Sequence, residues 1–141
     1  MSRLELKIPE AEIYSSQIQV RISDINFAGH LAHDAILSLV HQIRAEFFFK
    51  NGWTEVDVEG KGIVISDVGI VYKSEAFFPD ILFARMFVHD ISKKSLDFYY
   101  QLLHSETKKE VAVAKTGIVF FDYSIRKPCL IPDTFLAAVS K

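Results

Sequence analysis

One segment without proline or glycine, Ala35 to Lys50, constrains the possible fold of this chain more than any other feature. Its apolar residues recur at the spacing of one helical face, and further apolar residues widen that face beyond what a surface helix needs. The stripe consists of Ile36, Leu39, Val40, Ile43 and Phe47, and it is widened by Leu37 and Phe48. Asp34 suits the positive end of the helix dipole, and Asn51-Gly52 supplies a left-handed stop. We therefore predict a long central helix over residues 35–50 that other elements bury.

The segments that could bury this helix alternate between apolar and polar residues, as half-buried strands do. The predicted strands are Gln17 to Ser23, Gly62 to Tyr72, Asp80 to Ile91, Ser95 to Ser105 and Glu110 to Asp122. Short polar turns join the later strands, so neighbouring strands should run antiparallel. Small residues such as Ala84, Ala112 and Ala114 would let the helix lie close to the sheet. The sequence thus predicts an α+β domain in which a curved, five-stranded antiparallel sheet wraps one helix.

The amino-acid composition and net charge exclude several classes of function. The 141 residues suit one domain, 1–141, without repeats or linkers, and 50% hydrophobic residues with 12 Phe predict an oligomer. A net charge of −2 with scattered Lys and Arg gives no basis for nucleic acid binding. Cys129 is the only cysteine, which excludes an intrachain disulfide and a Cys-cluster metal site. Since neither a leader nor a membrane span is recognisable in the sequence, we expect a cytoplasmic protein.

The loop before the predicted helix carries the candidate chemistry. Asn26, His30 and His33 all fall between the first strand and the helix, so the loop delivers them to a helix N-terminus. Free backbone N–H groups at such a terminus can polarise a carbonyl or hold an anion. Asp24 also lies in this loop, although an Asx-type turn is a competing structural role for it. Gly29 suits a left-handed backbone or the close approach of a ligand.

Arg44 stands on the otherwise apolar helix and needs a carboxylate partner if it is buried. We expect that partner to be Glu46 of the partner subunit or an aspartate on a strand. A structural role is therefore the expectation for this residue.

Several pieces of the chain resemble one family in their order and spacing. They are Val20-Arg21-x-Ser23-Asp24-x-Asn26-x-x-Gly29-His30, Arg44-Ala45-Glu46-Phe47, Val71-Tyr72 before Pro79-Asp80, Ser92-Lys93-Lys94-Ser95, Ala112-x-Ala114-x-Thr116, and Arg126-Lys127-Pro128 with Ile131-Pro132. Over nearly its whole length the chain resembles the hotdog-fold acyl-CoA thioesterases of the 4-hydroxybenzoyl-CoA thioesterase type. The resemblance implies a homodimer or homotetramer whose site lies between two chains, where the amide N–H near His33 polarises the thioester carbonyl.

The chain departs from this family at one position of the loop. The family's usual loop reads Asp-x-Asp-x-x-Gly, and its second Asp, the nucleophile or general base, is Asn26 here. A carboxamide neither takes up a proton nor attacks a thioester at neutral pH, which excludes an Asp mechanism at this position. Members of the Tol-Pal-associated branch carry a His seven residues later, as His33 is here, and thioesterases of enediyne biosynthesis resemble this loop in having Asn.

The resemblance therefore implies that water attacks the thioester carbonyl, that Asn26 positions the reactants and that His33 is the base. His30 and Asp24 are further catalytic candidates. Cations for the CoA phosphates are expected in turns, with Gly29 close to the substrate. The predicted binding residues in those turns are Lys93, Lys94, Ser95, Arg126 and Lys127. The substrate is a fatty-acyl or aryl thioester of CoA or of an acyl-carrier protein, and no metal or other cofactor is implied.

Two alternatives remain open. One is a non-catalytic hotdog protein that binds acyl-CoA or an acyl-carrier protein and has lost its base at Asn26. The other is an enoyl-thioester hydratase, whose signature Asp-x-Asn-Pro-x-His begins like Asp24-Ile25-Asn26. Phe27 stands where that signature has Pro, and His30 comes one residue too late.

Overall fold

A computed structural model describes residues 3–140 of the protein. It contains six strands and two α-helices, which we number in chain order. They are β1 (Glu12–Gln19), α1 (His33–Lys50), β2 (Gly62–Tyr72), β3 (Ile81–His89), β4 (Ser95–His104), β5 (Glu110–Asp122), β6 (Lys127–Pro128) and α2 (Asp133–Val139). A single turn of 3-10 helix, Ile22–Asp24, lies between β1 and the loop that leads to α1.

The predicted central helix is confirmed. It begins at His33, two residues before the predicted start, and it ends where Asn51 and Gly52 take the chain out of the helix. Gly52 has a φ of 83°, so it supplies the left-handed stop that the sequence predicted. The apolar stripe is buried, with Ile36, Leu39, Val40, Ile43, Phe47 and Phe48 each at most 2% exposed. Leu37, which was expected to widen the stripe, is 41% exposed.

The five long strands form one antiparallel sheet in the order β1-β3-β4-β5-β2, and the short β6 pairs with the end of β5. The face of the sheet toward α1 carries small side chains, and Ala84, Ala112 and Ala114 are all at most 2% exposed. Because these side chains are small, the helix can lie close to the strands. This arrangement confirms the predicted α+β hotdog architecture.

Strand boundaries differ from the prediction mainly at the first strand. β1 begins at Glu12 rather than Gln17, and it ends at Gln19 because the chain leaves the sheet at Arg21. The bounds predicted for β2 and β5 agree with the structure, whereas β3 and β4 are shorter than predicted by a few residues at most. The residues after β5 form β6 and α2.

The C-terminal helix α2 closes the core at the far end of α1. Its Phe135 is fully buried and packs against five aromatic rings at centroid distances between 4.8 and 6.4 Å. Those rings belong to Phe47, Phe48, Trp53, Phe98 and Phe120. Edge-on and tilted contacts of this kind add to the free energy gained by burial, so these rings stabilise this end of α1.

Arg44 is buried, with 7% of its surface exposed, but its partner is not the one expected from the sequence. Its Nε donates to Glu55 Oε2 at 2.6 Å and its Nη1 donates to the Tyr100 hydroxyl at 3.3 Å. Glu55 lies in the connector after α1 of the same chain, while Glu46 accepts a hydrogen bond from Tyr14 of β1. The expectation that Arg44 pairs with Glu46 of the partner subunit or with a strand aspartate is therefore wrong.

β2 is the last strand of the sheet, and its outer edge has no strand beside it within residues 3–140. Ile65, Val68 and Tyr72 on this strand are 41%, 49% and 52% exposed. Each stands opposite an inward-facing residue of β5, so all three project toward the helix side of the sheet. The sheet therefore ends in an unpaired edge with an exposed apolar strip beside it.

Candidate active site

The loop between the 3-10 turn and α1 is a small closed hairpin. Ile25 and Leu31 form an antiparallel bridge, and the N–H of Asn26 donates to the carbonyl of His30 at 2.9 Å. The side-chain Oδ1 of Asn26 accepts the N–H of Ala28 at 3.0 Å and that of His30 at 3.3 Å. Gly29 has a φ of 85°, the left-handed conformation that the sequence suggested.

This hairpin fixes how Asn26 can act on a ligand. Because two backbone N–H groups bind its oxygen, the carboxamide turns its nitrogen away from the hairpin. Asn26 is exposed, so the Nδ2 hydrogens can reach a ligand. The side chain can therefore donate a hydrogen bond to a carbonyl oxygen, while its acceptor is already in use.

Asp24 anchors the loop. Its side chain accepts hydrogen bonds from the backbone N–H of Arg21 at 2.8 Å and from the Arg21 guanidinium at 3.2 and 3.0 Å. Burial raises the pKa of the Asp24 carboxyl, but the hydrogen bonds and the charge of Arg21 outweigh burial and hold the pKa below its ordinary value. Its backbone carbonyl accepts the N–H of Ala32, the residue before α1, at 2.9 Å. These contacts fit the structural role of Asp24 better than proton transfer.

The start of α1 offers free backbone donors. Ala32 occupies the cap position and provides no side-chain cap, and the first bond within the helix runs from Ile36 N–H to Ala32 at 3.1 Å. Within residues 3–140, the N–H groups of His33, Asp34 and Ala35 therefore have no acceptor. Three free donors at the positive end of an 18-residue helix form a site for an oxyanion or another anion.

Two clefts flank this helix start. One, of about 320 Å³, has Asn26, Asp34 and Ser38 in its lining. The other, of about 280 Å³, lies toward β2 and has a floor of buried apolar side chains that includes Leu31, Ile36 and Val111. One cleft is thus polar, and the other can hold an apolar group within reach of the helix start.

His30 lines the apolar-floored cleft and contacts the connector between β2 and β3. Its Nδ1 lies 3.3 Å from Glu75 Oε1, and its ring packs edge-on to Phe77 with centroids 5.3 Å apart. The backbone joins the same two segments, because Leu31 N–H donates to the Ala76 carbonyl at 2.8 Å. His30 is therefore held on two sides by residues 75–77.

His33 opens α1 and is exposed. Its ring has no hydrogen-bond or ion-pair partner in the part of the chain that the structure describes, and it lines neither of the two clefts. Nothing in residues 3–140 therefore orients this imidazole, although its backbone N–H is one of the three free donors.

The predicted cations lie at the opposite end of the sheet from the loop. Ser95, next to Lys93 and Lys94, pairs with Val119 at one end of β5, whereas the loop is bonded to the connector that follows Tyr72, opposite Ala112. The seven residue steps from Ala112 to Val119 along β5, at roughly 3.3 Å each, give about 23 Å. Lys127 and the adjacent Arg126 follow β5 at that same far end. Within one chain, the structure does not bring these residues to the loop.

The residue that sequence reasoning missed is Glu75. It follows β2 in a connector with no motif, 45 positions after His30, and only the fold brings the two together. Within residues 3–140, no three His, Cys, Asp or Glu side chains gather as metal ligands do. Neither described helix is both long and apolar enough to cross a membrane.

Comparison with known proteins shows to which family the chain belongs. The model of the thioesterase-like superfamily matches residues 20–139. Among solved structures, the chain is similar to a 1,4-dihydroxy-2-naphthoyl-CoA thioesterase from Synechocystis, with a TM-score of 0.83, 18% identity and coverage of 91% of this chain and 96% of that one. It is also similar to a putative thioesterase from Pseudomonas aeruginosa, with a TM-score of 0.83, 17% identity and coverage of 91% and 98%.

A DHNA-CoA thioesterase from Staphylococcus aureus is similar as well, with a TM-score of 0.78, 18% identity and coverage of 89% and 87%. A search of curated protein sequences found no significant match. At these identities the structural neighbours establish the fold, and the family model, which spans most of the chain, establishes the relationship. The chain belongs to the thioesterase-like superfamily.

Proposed function

We propose that the protein hydrolyses the thioester bond of an acyl-CoA at the start of α1. The observation that carries this proposal is the set of three backbone N–H groups without an acceptor, beside the outward-facing amide of Asn26. A thioester carbonyl placed there would receive donors at the position where negative charge develops. Membership of the thioesterase-like superfamily supports the same reaction.

The reaction follows from those donors. A water oxygen attacks the thioester carbonyl and the carbonyl oxygen becomes an oxyanion, which the helix N–H groups and Asn26 Nδ2 stabilise. A neutral histidine of the loop, His33 in the sequence-based hypothesis or His30, takes a proton from that water. The C–S bond then breaks, and the proton passes to the departing thiolate to give free acid and CoA.

The working form contains two chains in this proposal. An unpaired β2 edge and the exposed Ile65, Val68 and Tyr72 beside it suit a second copy. Antiparallel pairing of two β2 strands places the Gly62 end of one copy beside the Tyr72 end of the other. The turns with Lys93, Lys94, Arg126 and Lys127 would then approach the other copy's loop, where they could bind the CoA phosphates.

An acyl group of modest size suits the apolar-floored cleft of about 280 Å³. Two of the structural neighbours are thioesterases of an aromatic acyl-CoA by name, which supports including aryl substrates. Fatty-acyl groups, and an acyl-carrier protein in place of CoA, are the other members of the predicted substrate class.

The test is thiol release by the purified protein from short, medium, long and aromatic acyl-CoAs. Two variants separate the His33 ring from its backbone N–H. His33→Ala removes the ring, and His33→Pro also removes the N–H at a first helical position, where proline is tolerated. Ala32 already has the extended backbone, with ψ at 152°, that a following proline favours.

If the His33 N–H holds the oxyanion, His33→Pro should have a kcat about 10²–10³-fold below that of His33→Ala. Equal rates would show that this N–H takes no part. The proposal itself fails if the wild-type protein binds acyl-CoA saturably but releases no thiol from any member of the panel. That outcome would instead identify a binding protein, which the engagement of the Asn26 oxygen within the hairpin also suits.

A further inference from the structure

We infer that His30 is the general base of this hydrolysis and that Glu75 is the residue that positions it. The inference rests on the proposed function and assigns the proton transfer within it. Its starting point is the contact of His30 Nδ1 with Glu75 Oε1 at 3.3 Å, which places a carboxylate behind an imidazole at the edge of a cleft.

The carboxylate decides which ring nitrogen carries the proton. A carboxylate at Nδ1 favours the tautomer with hydrogen on Nδ1, and that tautomer leaves the lone pair of Nε2 free. In residues 3–140 no group binds Nε2 of His30. That nitrogen can therefore accept the proton of a water molecule, and Glu75 stabilises the imidazolium that forms.

The ring is also fixed in place. Phe77 packs edge-on against it with an interplanar angle of 77°, and the Leu31 to Ala76 hydrogen bond fastens the hairpin to the same connector. On the far side of the connector, the backbone carbonyl of Glu75 is within 3.1 Å of His104 Nε2. These contacts reduce the conformational freedom that a base must lose before it reacts.

The proposed base and one of the proposed oxyanion donors belong to the same hairpin. His30 stands opposite Asn26 across the hairpin, since the backbone N–H of Asn26 donates to the carbonyl of His30 at 2.9 Å. The charged and titratable groups that line the cleft beside the ring are Glu75, Lys73 and Tyr72. Glu75 is the one whose side chain contacts the ring.

Three variants test the assignment against two matched controls. His30→Ala removes the base, and His41→Ala controls for loss of an exposed imidazole outside the loop. Glu75→Ala removes the carboxylate, whereas Glu75→Gln keeps a hydrogen-bond acceptor without the charge. Glu106→Ala controls for loss of an exposed carboxylate away from the cleft. Circular dichroism checks that each variant keeps its fold.

The expected results concern kcat more than KM. His30→Ala should lower kcat about 10²–10⁴-fold, and added imidazole should restore part of the rate. Glu75→Ala should lower kcat at least tenfold, roughly speaking, with KM little changed, and Glu75→Gln should fall between it and the wild type. Both controls should stay near the wild-type rate.

Three outcomes would overturn the inference. One is a large loss in His33→Ala with none in His30→Ala, and another is a Glu75→Ala variant with the wild-type kcat. The third is a measurement that does not depend on turnover. The ¹⁵N chemical shifts of the His30 ring should show hydrogen on Nδ1 in the wild type and a mixture of tautomers in Glu75→Ala. Hydrogen on Nε2 in the wild type would contradict the pairing. A wild type that releases no thiol at all defeats the proposed function, and the assignment of a base falls with it.

Discussion

Glu55 holds Arg44 with one carboxylate oxygen and His41 with the other, each at 2.6 Å. The two partners lie three positions apart on α1, so a single residue of the connector contacts two side chains nearly one helical turn apart. Glu55 also accepts the N–H of Ile63 with its backbone carbonyl at 2.9 Å, at the start of β2. The strand that bears the unpaired edge is thus tied to the helix that bears the proposed oxyanion site.

Glu55→Ala should destabilise the protein by about 3 kcal/mol, because it leaves the Arg44 guanidinium buried without its carboxylate. Urea unfolding measures the change. His41→Ala is the matched control, since His41 is 63% exposed and its loss leaves the Arg44 pair intact. The control should change the free energy of unfolding by no more than about 0.5 kcal/mol. A double variant, Arg44→Met with Glu55→Ala, should recover part of the loss, and full additivity would contradict the pairing.

Asp24→Asn should destabilise the wild-type fold by about 1–3 kcal/mol at pH 7, because the charge-assisted hydrogen bonds to Arg21 are lost. The pKa of Asp24 is lower in the folded protein than its ordinary value, so its contribution is complete above the unfolded pKa of about 3.9. It disappears as the pH falls through the folded pKa. The difference between variant and wild type should therefore shrink below about pH 4, as measured by unfolding at several pH values. A difference that stays constant down to pH 2 would contradict this account.

Asn26→Asp should keep the hairpin, because a carboxylate oxygen can accept the same two backbone N–H groups. It should lower kcat at least tenfold, roughly, since it replaces a donor by an anion where the oxyanion forms. Asn26→Ala should lower kcat as well and also cost about 1 kcal/mol of stability, since the hairpin loses its acceptor. Kinetics and thermal unfolding of the two variants separate these effects. Faster hydrolysis by Asn26→Asp would mean that a carboxylate mechanism is available at this position.

Gly62→Ala should destabilise the protein by about 1–3 kcal/mol. A Cβ at this position would lie 2.5 Å from Tyr123 Cε2 and 3.1 Å from the backbone Cα of Val56. Tyr123 donates its hydroxyl to the Ile63 carbonyl at 2.8 Å, so the ring cannot move aside without losing that bond. Combining Gly62→Ala with Tyr123→Ala should cost less than the sum of the two single changes in urea unfolding. Strict additivity would show that the ring is not the obstacle.

The parts of the fold that depend on local pattern were predictable. One helical face is predicted by the spacing of five apolar residues, which are Ile36, Leu39, Val40, Ile43 and Phe47. The alternation of apolar and polar residues in β2 and β5 likewise predicts strands. The start of α1 was placed two residues late because Ala32 lacks the side chain that usually marks a helix cap. β1 ends four residues before its predicted end because hydrogen bonds between Arg21 and Asp24 turn the chain there, and alternation does not encode such bonds.

The candidate site was predictable only where the chain itself brings residues together. Asn26, His30 and His33 share one loop, so their proximity followed from sequence order. The pairs Arg44 with Glu55 and His30 with Glu75 join a basic residue to one of 18 acidic residues in the chain, and no local rule selects which. The orientation of the Asn26 side chain could not be predicted either, because its oxygen accepts two backbone N–H groups only in the closed hairpin.

Within one chain the loop and the basic turns lie about 23 Å apart, so two variants that are each inactive should restore activity when they are mixed. If one copy supplies the loop and the other supplies the cations, a chain with His30→Ala and a chain with all four cations replaced by alanine should complement each other. The four cations are Lys93, Lys94, Arg126 and Lys127. Random reassociation makes half of the dimers mixed, and each mixed dimer has one intact site, so about a quarter of the wild-type activity should return. Mixing would restore nothing if each chain carried a complete site of its own.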